Sequence, residues 1–462
     1  MDLTITNAQI VTEQGLYPAD VGVVGEQIVA LAAPGMLPPA TKTIDASGML
    51  LFPGAIDIHF HCRTPAYPER GDFYTETRAA AAGGVTTIFE MPISKPGCAT
   101  PEIFRNRRRL AEEQAIVDVA LFGAPGTLIR EDVLGMAAEG AIAFKIFMHR
   151  APLGREDEFI GICLPEDEEL YQALKLVKET GRRLVVHCES DHMLEARIAR
   201  LRAEGKGDLR AHMDSRPPVV EAVAVARLLT LAEDVGTPVH VAHVSCVAAL
   251  NVIRRFRNDG LDVTAETCPH YLFFDEEVYL RLGPYAKINP PIRSAADQQA
   301  LWAGLADGSL DVVTTDHSTY LVAEKERGWQ EIFQSPSGAP GVQTLLPLMV
   351  TAALQERLSL SQVVKLLCSE PARLFGLAPR KGVIQPGADA DLCLYDPRQA
   401  TIFRREDMWS QARDVDKLYE GISLQGRVVA TWVRGRLVYQ EGKILAPAGS
   451  GCFIAPLSSS HV

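Results

Sequence analysis

The chain has 462 residues, 47% hydrophobic and 23% charged, proportions of an ordinary globular protein that exclude a disordered or fibrous class. A formal net charge of -12 and the absence of a dense basic cluster argue against a nucleic-acid partner. On a prior of about 150 residues per domain, the length suits two or three domains, or fewer if one is a barrel. The nearest basic run, Arg105-Asn-Arg-Arg-Arg109, reads as a solvated helix face. The start, Met1-Asp-Leu-Thr-Ile-Thr-Asn7, lacks the basic and apolar regions of a signal peptide, and no apolar run reaches membrane-spanning length. The expectation is a cytoplasmic protein with no membrane partner. Nine cysteines include no Cys-x-x-Cys pair and are expected to be reduced. Cys62, Cys188 and Cys268 lie beside motif residues and read as small buried apolar groups.

In chain order, residues 1–50 alternate β-rich runs (Leu3–Thr6, Val21–Val24, Gln27–Ala30) with Gly, Pro and Asn turns. The same texture returns in Ala390–Tyr395, Arg427–Arg434 and Arg436–Gln440, the last two resembling a hairpin across Gly435. Between them, short apolar runs alternate with helical stretches such as Glu166–Lys178 and Pro218–Glu233, the pattern of parallel βα units. Eight strands are expected: Ala55–His61, Thr86–Met91, Val117–Phe122, Ile142–Phe147, Arg183–His187, Val239–His243, Val263–Thr267 and Val312–Asp316. The fold class is therefore α/β, a (β/α)8 TIM barrel with a small β-sandwich domain built from both chain ends. The divisions are 1–52 for the first part of the sandwich, 53–378 for the barrel, 379–445 for the second part of the sandwich and 446–462 for a poorly ordered or docking tail.

The most informative stretch is Gly54-Ala-Ile-Asp-Ile-His-Phe-His-Cys-Arg63. Successive strand side chains point to opposite faces, so His59 and His61 share one, and two imidazoles aimed at one point suggest a metal. Lys145, His187, His243 and Asp316 also fall at or near strand C-termini, where a barrel gathers its active site. Four histidines, a lysine and an aspartate around one mouth suit two divalent ions. The lysine is the odd member, because an ammonium is repelled by metals. It is either a salt-bridged core lysine or a carbamate formed with CO2, which turns it into an anionic bridging ligand.

The chain resembles the cyclic amidohydrolases of the amidohydrolase superfamily, the group of dihydropyrimidinase or hydantoinase, allantoinase and dihydroorotase. The resemblance spans nearly the whole chain and rests on specific motifs. They are Asp57-Ile-His-Phe-His61, Gly83-Gly-Val-Thr-Thr87, Phe144-Lys-Ile-Phe-Met148, Val186-His-Cys-Glu189, His240-Val-Ala-His-Val-Ser245, Glu266-Thr-Cys-Pro-His-Tyr271, Asn289-Pro-Pro-Ile-Arg293, Thr315-Asp-His317 and Lys381-Gly-x-Ile-x-x-Gly-x-Asp-Ala-Asp391. It implies that His59, His61 and Asp316 hold one metal, His187 and His243 the other, and carbamylated Lys145 bridges them, with zinc the expected ion. Paired metals lower the pKa of a bridging water, whose hydroxide attacks the ring carbonyl while Asp316 carries the proton to the leaving nitrogen. The resemblance also implies a homodimer or homotetramer.

The substrate is left open by the sequence. Ser215-Arg-Pro217, Glu266–Tyr271 and Met91-Pro92 look like allantoinases, whereas the Lys145 motif and Pro379–Gly382 with Ala388–Asp391 look like hydantoinases. Arg63 and Asn289 resemble the dihydroorotase residues that hold a substrate carboxylate. Ile93 and Tyr320 depart from that pattern, in which an asparagine and a histidine stand there, and His149 follows the lysine motif where hydantoinases carry a tyrosine. Substrate contacts are thus expected from Arg63, Asn289 and Tyr320. A guanidinium grips a carboxylate through two parallel hydrogen bonds, while the alternative for Arg63 is a loop ion pair with Glu69 or Asp72. The specificity loops should be Cys62–Asp72, His149–Ile162 and His317–Gly341, the last ending in a flexible stretch, Ser335–Gly341, suited to a lid or an ordinary turn. Two rival classes are a mononuclear deaminase, which needs no bridging lysine, and a non-catalytic dihydropyrimidinase-like scaffold, which lacks much of the metal set.

Overall fold

The computed structural model describes residues 1–457; the end of the expected tail, 458–462, lies outside the described residues. Five strands open the chain: β1 (Leu3–Thr12), β2 (Gly15–Val24), β3 (Gln27–Ala32), β4 (Lys42–Asp45) and β5 (Leu50–Pro53). After Gly54 the chain enters the barrel. Its strands are β6 (Ala55–His61), β7 (Val85–Glu90), β8 (Asp118–Gly123), β9 (Ala143–Phe147), β10 (Leu184–His187), β11 (Val239–Val241), β12 (Val263–Thr267), β13 (Val312–Val313) and β14 (His317–Ser318). Each pairs in parallel with the next from β6 to β13, and β14 returns to β6 to close the ring. Side chains of these strands are buried throughout, which is why they read as continuous apolar runs rather than alternating ones.

The eighth expected strand is broken in two. Between its halves Asp316 takes a left-handed backbone, φ 48°. The cause lies far away in sequence: the buried Asp57 carboxylate accepts from Thr315 N (3.1 Å), Thr314 Oγ1 (2.5 Å) and Thr315 Oγ1, and so pulls the chain out of strand geometry. Between strands, the first two helices are α1 (Phe73–Ala82), started by an Asp72–Thr75 capping box, and α2 (Pro101–Gln114). The expected helix at Pro218 runs to Val235 and ends on Gly236, whose φ of 75° suits glycine.

The C-terminal strands β15 (Leu392–Ile402), β16 (Ser423–Val433), β17 (Arg436–Gln440) and β18 (Lys443–Ile444) join the N-terminal ones in one nine-stranded sheet. The order is β18-β17-β16-β15-β5-β1-β2-β3, with β4 on β1, and the core of this domain includes Ile5, Ile10, Leu51, Leu392 and Trp432. The tail docks on the barrel: Val119 N donates to Cys452 O (2.9 Å) and Ile454 N to Val119 O (2.8 Å). This seats Ile454 in the cluster of Phe89, Phe122 and Phe375.

A buried ion cluster ties sheet to barrel. Lys381 Nζ lies 2.7 Å from Asp118 on β8, 2.5 Å from Asp391 and 3.2 Å from Asp389. Burial opposes the ammonium's charge, but the three carboxylates raise its pKa well above the ordinary value. Removing one partner of such a set strands buried charge, so Lys381→Ala is expected to lower unfolding stability by about 3–5 kcal/mol in denaturant titration. A loss below about 1 kcal/mol would mean that the cluster holds nothing together.

Candidate metal centre

At the mouth of the barrel, His59 Nε2 and His61 Nε2 lie 3.3 and 3.1 Å from Asp316 Oδ1. Both come from β6, whose register with β7 breaks between Asp57 and Phe60. Across from them, His187 Nδ1 and His243 Nε2 are 3.0 Å apart. The His59 and His243 ring centroids are separated by 5.2 Å, so the two groups form one cluster. Three backbones around it are left-handed without being glycine: Arg63 (φ 59°), His243 (φ 37°) and Asp316 (φ 48°). Each costs of order 1–3 kcal/mol and persists only where the surroundings over-determine it, a pattern typical of functional sites.

Burial makes these rings good ligands. It pulls His61 down to about 3, His187 below its ordinary value and His243 well below it, so all three are neutral at physiological pH. At Asp316 burial opposes ionisation, but the His59 and His61 rings override it and hold the carboxyl well below the usual range. The outward ring nitrogens of His59 and His187 are occupied, whereas Nδ1 of His61 and of His243 has no hydrogen-bond partner among the described residues. His59 Nδ1 meets Glu266 Oε1 at 2.5 Å, and His187 Nε2 meets Glu189 Oε2 at 2.8 Å. Carboxylates in these positions fix the tautomer and turn the remaining lone pairs inward.

Lys145 is fully buried on β9, and its Nζ has no hydrogen-bond partner among the described residues. The salt-bridged alternative is therefore not formed. Burial lowers its pKa to about 8, with Glu266 and Asp316 opposing, which leaves roughly a tenth of it as free amine at neutrality, a far larger share than an ordinary lysine offers. A free amine is the form that adds to CO2. Neutral imidazoles, an ionised carboxylate and an orphaned buried lysine thus fit a pair of divalent ions bridged by a lysine carbamate.

A second group of potential ligands, His149, His187 and Glu189, shares His187 with this cluster. Arg216 Nη1 lies 2.5 Å from the Glu189 carboxylate and His149 Nδ1 donates to Arg150 O, so the group supports His187 rather than standing as a separate centre.

The expected substrate residues divide. Arg63 and Tyr320 come together: Arg63 Nη2 donates to Tyr320 Oη at 2.8 Å, and its guanidinium lies 4.7 Å from the ring centroid. Neither Glu69 nor Asp72 pairs with Arg63. Asn289 Oδ1 is instead engaged by His212 Nε2 at 2.9 Å. The first of the three loops flanking the mouth is tied to both others, by Tyr67 to Glu158 (2.9 Å) and Arg70 to Glu324 (2.5 Å), and Arg155 braces Glu158 within the second (2.6 Å). The Ser335–Gly341 stretch is neither a free lid nor an exposed turn. Buried Lys287 binds the carbonyls of Ile332 and Ser335, and Ser318 N binds Ala339 O at 3.0 Å.

Several contributors were not singled out from the sequence. Asp57 and Glu189 each sit two residues from a candidate ligand histidine, a signal that was available. Glu266 holds His59, His240 Nε2 (3.1 Å) and His243 N (3.1 Å) at once. The basic run is not wholly solvated either. Arg107 is 2% exposed and pairs with buried Glu90 at 2.6 Å, and Glu90 also accepts from Cys62 N and Arg63 N. Phe104, Arg107 and Ala111 form the buried face of α2, a helical spacing that outranks the local charge.

No helix among the described residues is long and apolar enough to cross a membrane. A sequence profile of the amidohydrolase family matches residues 50–438. Similar curated proteins include an L-hydantoinase of Paenarthrobacter aurescens, 34% identical over 98% of each chain, and an allantoinase of Deinococcus radiodurans, 37% identical over 96% of each chain. Among solved structures, the L-hydantoinase (dihydropyrimidinase) from Arthrobacter aurescens superposes with a TM-score of 0.93 at 33% identity, covering 98% of this chain and 99% of that one.

Proposed function

The chain belongs to the amidohydrolase family, and on that premise we propose that it opens a cyclic amide of the allantoin or hydantoin type with two divalent metal ions, zinc the favoured pair. The observation that carries this reading is Lys145: a buried, unpartnered amine beside four histidines and an aspartate has a use as a carbamate bridge and little other reason to be there. His59, His61 and Asp316 are assigned to one ion, His187 and His243 to the other. Bound there, the ions supply an acidified water and an electrophile for the ring carbonyl.

The remaining work falls to the chain itself. Glu266 and Glu189 keep His59 and His187 aimed inward. Asp316 takes the proton of the attacking water and returns it to the leaving ring nitrogen, so the C–N bond breaks to a neutral ureido N–H rather than a nitrogen anion. The loops joined through Glu158 and Tyr320 flank the ring and limit solvent. We further infer a cytoplasmic homodimer or homotetramer, and domain divisions at about residues 52, 378 and 445, from the family resemblance and the change of sheet.

A second reading, a ring bearing a carboxylate, is favoured by Arg63. Its guanidinium is buried, its Nε has no partner, and no carboxylate pairs with it among the described residues. A buried cation of this kind calls for an anion, which a substrate can bring. Arg63→Met is expected to lower kcat/KM on the order of 10²-fold for anionic rings and to leave neutral rings within a few-fold. Equal losses for both would remove the carboxylate grip. The deciding assay is a panel of dihydroorotate, allantoin, hydantoins, dihydrouracil and simple cyclic imides on zinc-loaded protein with bicarbonate. Ring opening of at least one is expected, and inactivity on all would refute the assigned reaction.

A further inference from the structure

We propose that Glu76, a residue outside the metal cluster, is a positioning residue that makes the Asp316 side of the centre depend on a crossover from the sheet domain. The proposal rests on Asp316 being a metal ligand, as read above. Glu76 lies on α1 and is fully buried. Its Oε2 accepts from His317 Nε2 (3.0 Å) and Ser410 Oγ (2.5 Å), and its Oε1 from Gln411 N (3.0 Å) and Thr75 Oγ1 (2.9 Å). Four donors from three segments thus meet on one carboxylate.

His317 directly follows Asp316. Its Nδ1 accepts from Gly341 N (3.1 Å) and Val342 N (3.3 Å), so Nε2 carries the hydrogen and donates to Glu76. The ring stacks on Phe60 of β6, centroids 4.5 Å apart and planes 5° from parallel, between the two metal histidines in sequence. Asp316 is therefore clamped on both sides in its left-handed conformation, by Asp57 through Thr315 and by Glu76 through His317.

Ser410 and Gln411 belong to neither barrel strand nor helix. They sit in the long connection between β15 and β16, which leaves the sheet domain and lies across the barrel loops. Gln411 Nε2 donates to Glu69 O (3.0 Å), Trp409 N to Gln343 Oε1 (2.9 Å), and Ala412 and Val415 pack with Tyr285. Through Glu76 this crossover and the carboxylate ligand share one anchor. Undocking the crossover leaves a buried carboxylate short of two donors and frees His317 to move, and Asp316 with it.

Glu76→Gln keeps the shape but sets an amide NH2 against donors; Ser410→Ala deletes one of the two crossover donors, together with the acceptor of Ala412 N (3.1 Å). The test compares both with wild type and with Asp316→Ala, all as full-length zinc-loaded protein, by zinc release to a chelator and by limited trypsin cleavage after Arg404, Arg413 and Lys417. Glu76→Gln is expected to release one of the ions about 10- to 100-fold faster and to be cut sooner in the crossover. Ser410→Ala should move both readouts in the same direction, and it decides the matter alone if Glu76→Gln does not fold. Faster cleavage with unchanged zinc release in either variant, or no change in either readout, overturns the coupling. If Asp316→Ala itself keeps both ions at the wild-type rate, the reading of Asp316 as ligand fails and takes the proposal with it; if Asp316→Ala loses one ion while the other two variants do not, only the coupling fails.

Discussion

Lys145→Met is expected to abolish ring opening, with kcat/KM falling on the order of 10³-fold or more, and to leave the chain unable to keep a full complement of metal. The thioether fills the same buried volume, so the loss reports chemistry and not a cavity. Without the carbamate, four imidazoles and one carboxylate face two dications with too little negative charge between them. The wild-type protein offers a companion measurement. Burial lowers the Lys145 pKa to about 8, so the reactive free amine increases as pH rises through that value. Reconstitution of the apoprotein with zinc at fixed dissolved CO2 should therefore be faster at pH 9 than at pH 7, and incomplete in CO2-free buffer. Full activity of Lys145→Met, or reconstitution indifferent to CO2, would return Lys145 to the role of a core lysine.

The second large effect is expected at Asp316. Asn can still place an oxygen where the carboxylate stands but cannot carry the proton, so Asp316→Asn at saturating zinc should lose on the order of 10²–10⁴ in kcat with metal content preserved. Survival of turnover with metal retained would leave Asp316 as a ligand only, with the proton handled elsewhere. Loss of metal together with turnover would be accounted for by ligation alone.

Most of the barrel was legible because its strands are buried on both faces and therefore stand out as apolar runs between helical stretches. Strands β6 and β12 match their expected spans, and the candidate ligand histidines could be placed because they fall at strand C-termini. The break at Asp316 was not legible, since it depends on Asp57, more than two hundred residues away in sequence. The same holds for Glu76 and Glu266. Their neighbours along the chain reveal nothing of His317, Ser410 or His59, and a carboxylate on a helix or strand is usually solvated. Arg107 was hidden differently, by a run of charges that masked its place on the buried stripe of α2. The burial of Arg63 was not legible, because the Tyr320 contact that encloses it closes across the barrel seam.

Anomalous diffraction from crystals grown with zinc and bicarbonate would reveal a two-metal centre bridged by a modified lysine. Two zinc peaks are expected, about 3.5–4 Å apart, one among His59, His61 and Asp316 and the other beside His187 and His243, with continuous density extending from Lys145 Nζ to both. A single peak with an unextended lysine would rule out the bridged pair and point to a mononuclear hydrolase or deaminase on the same barrel.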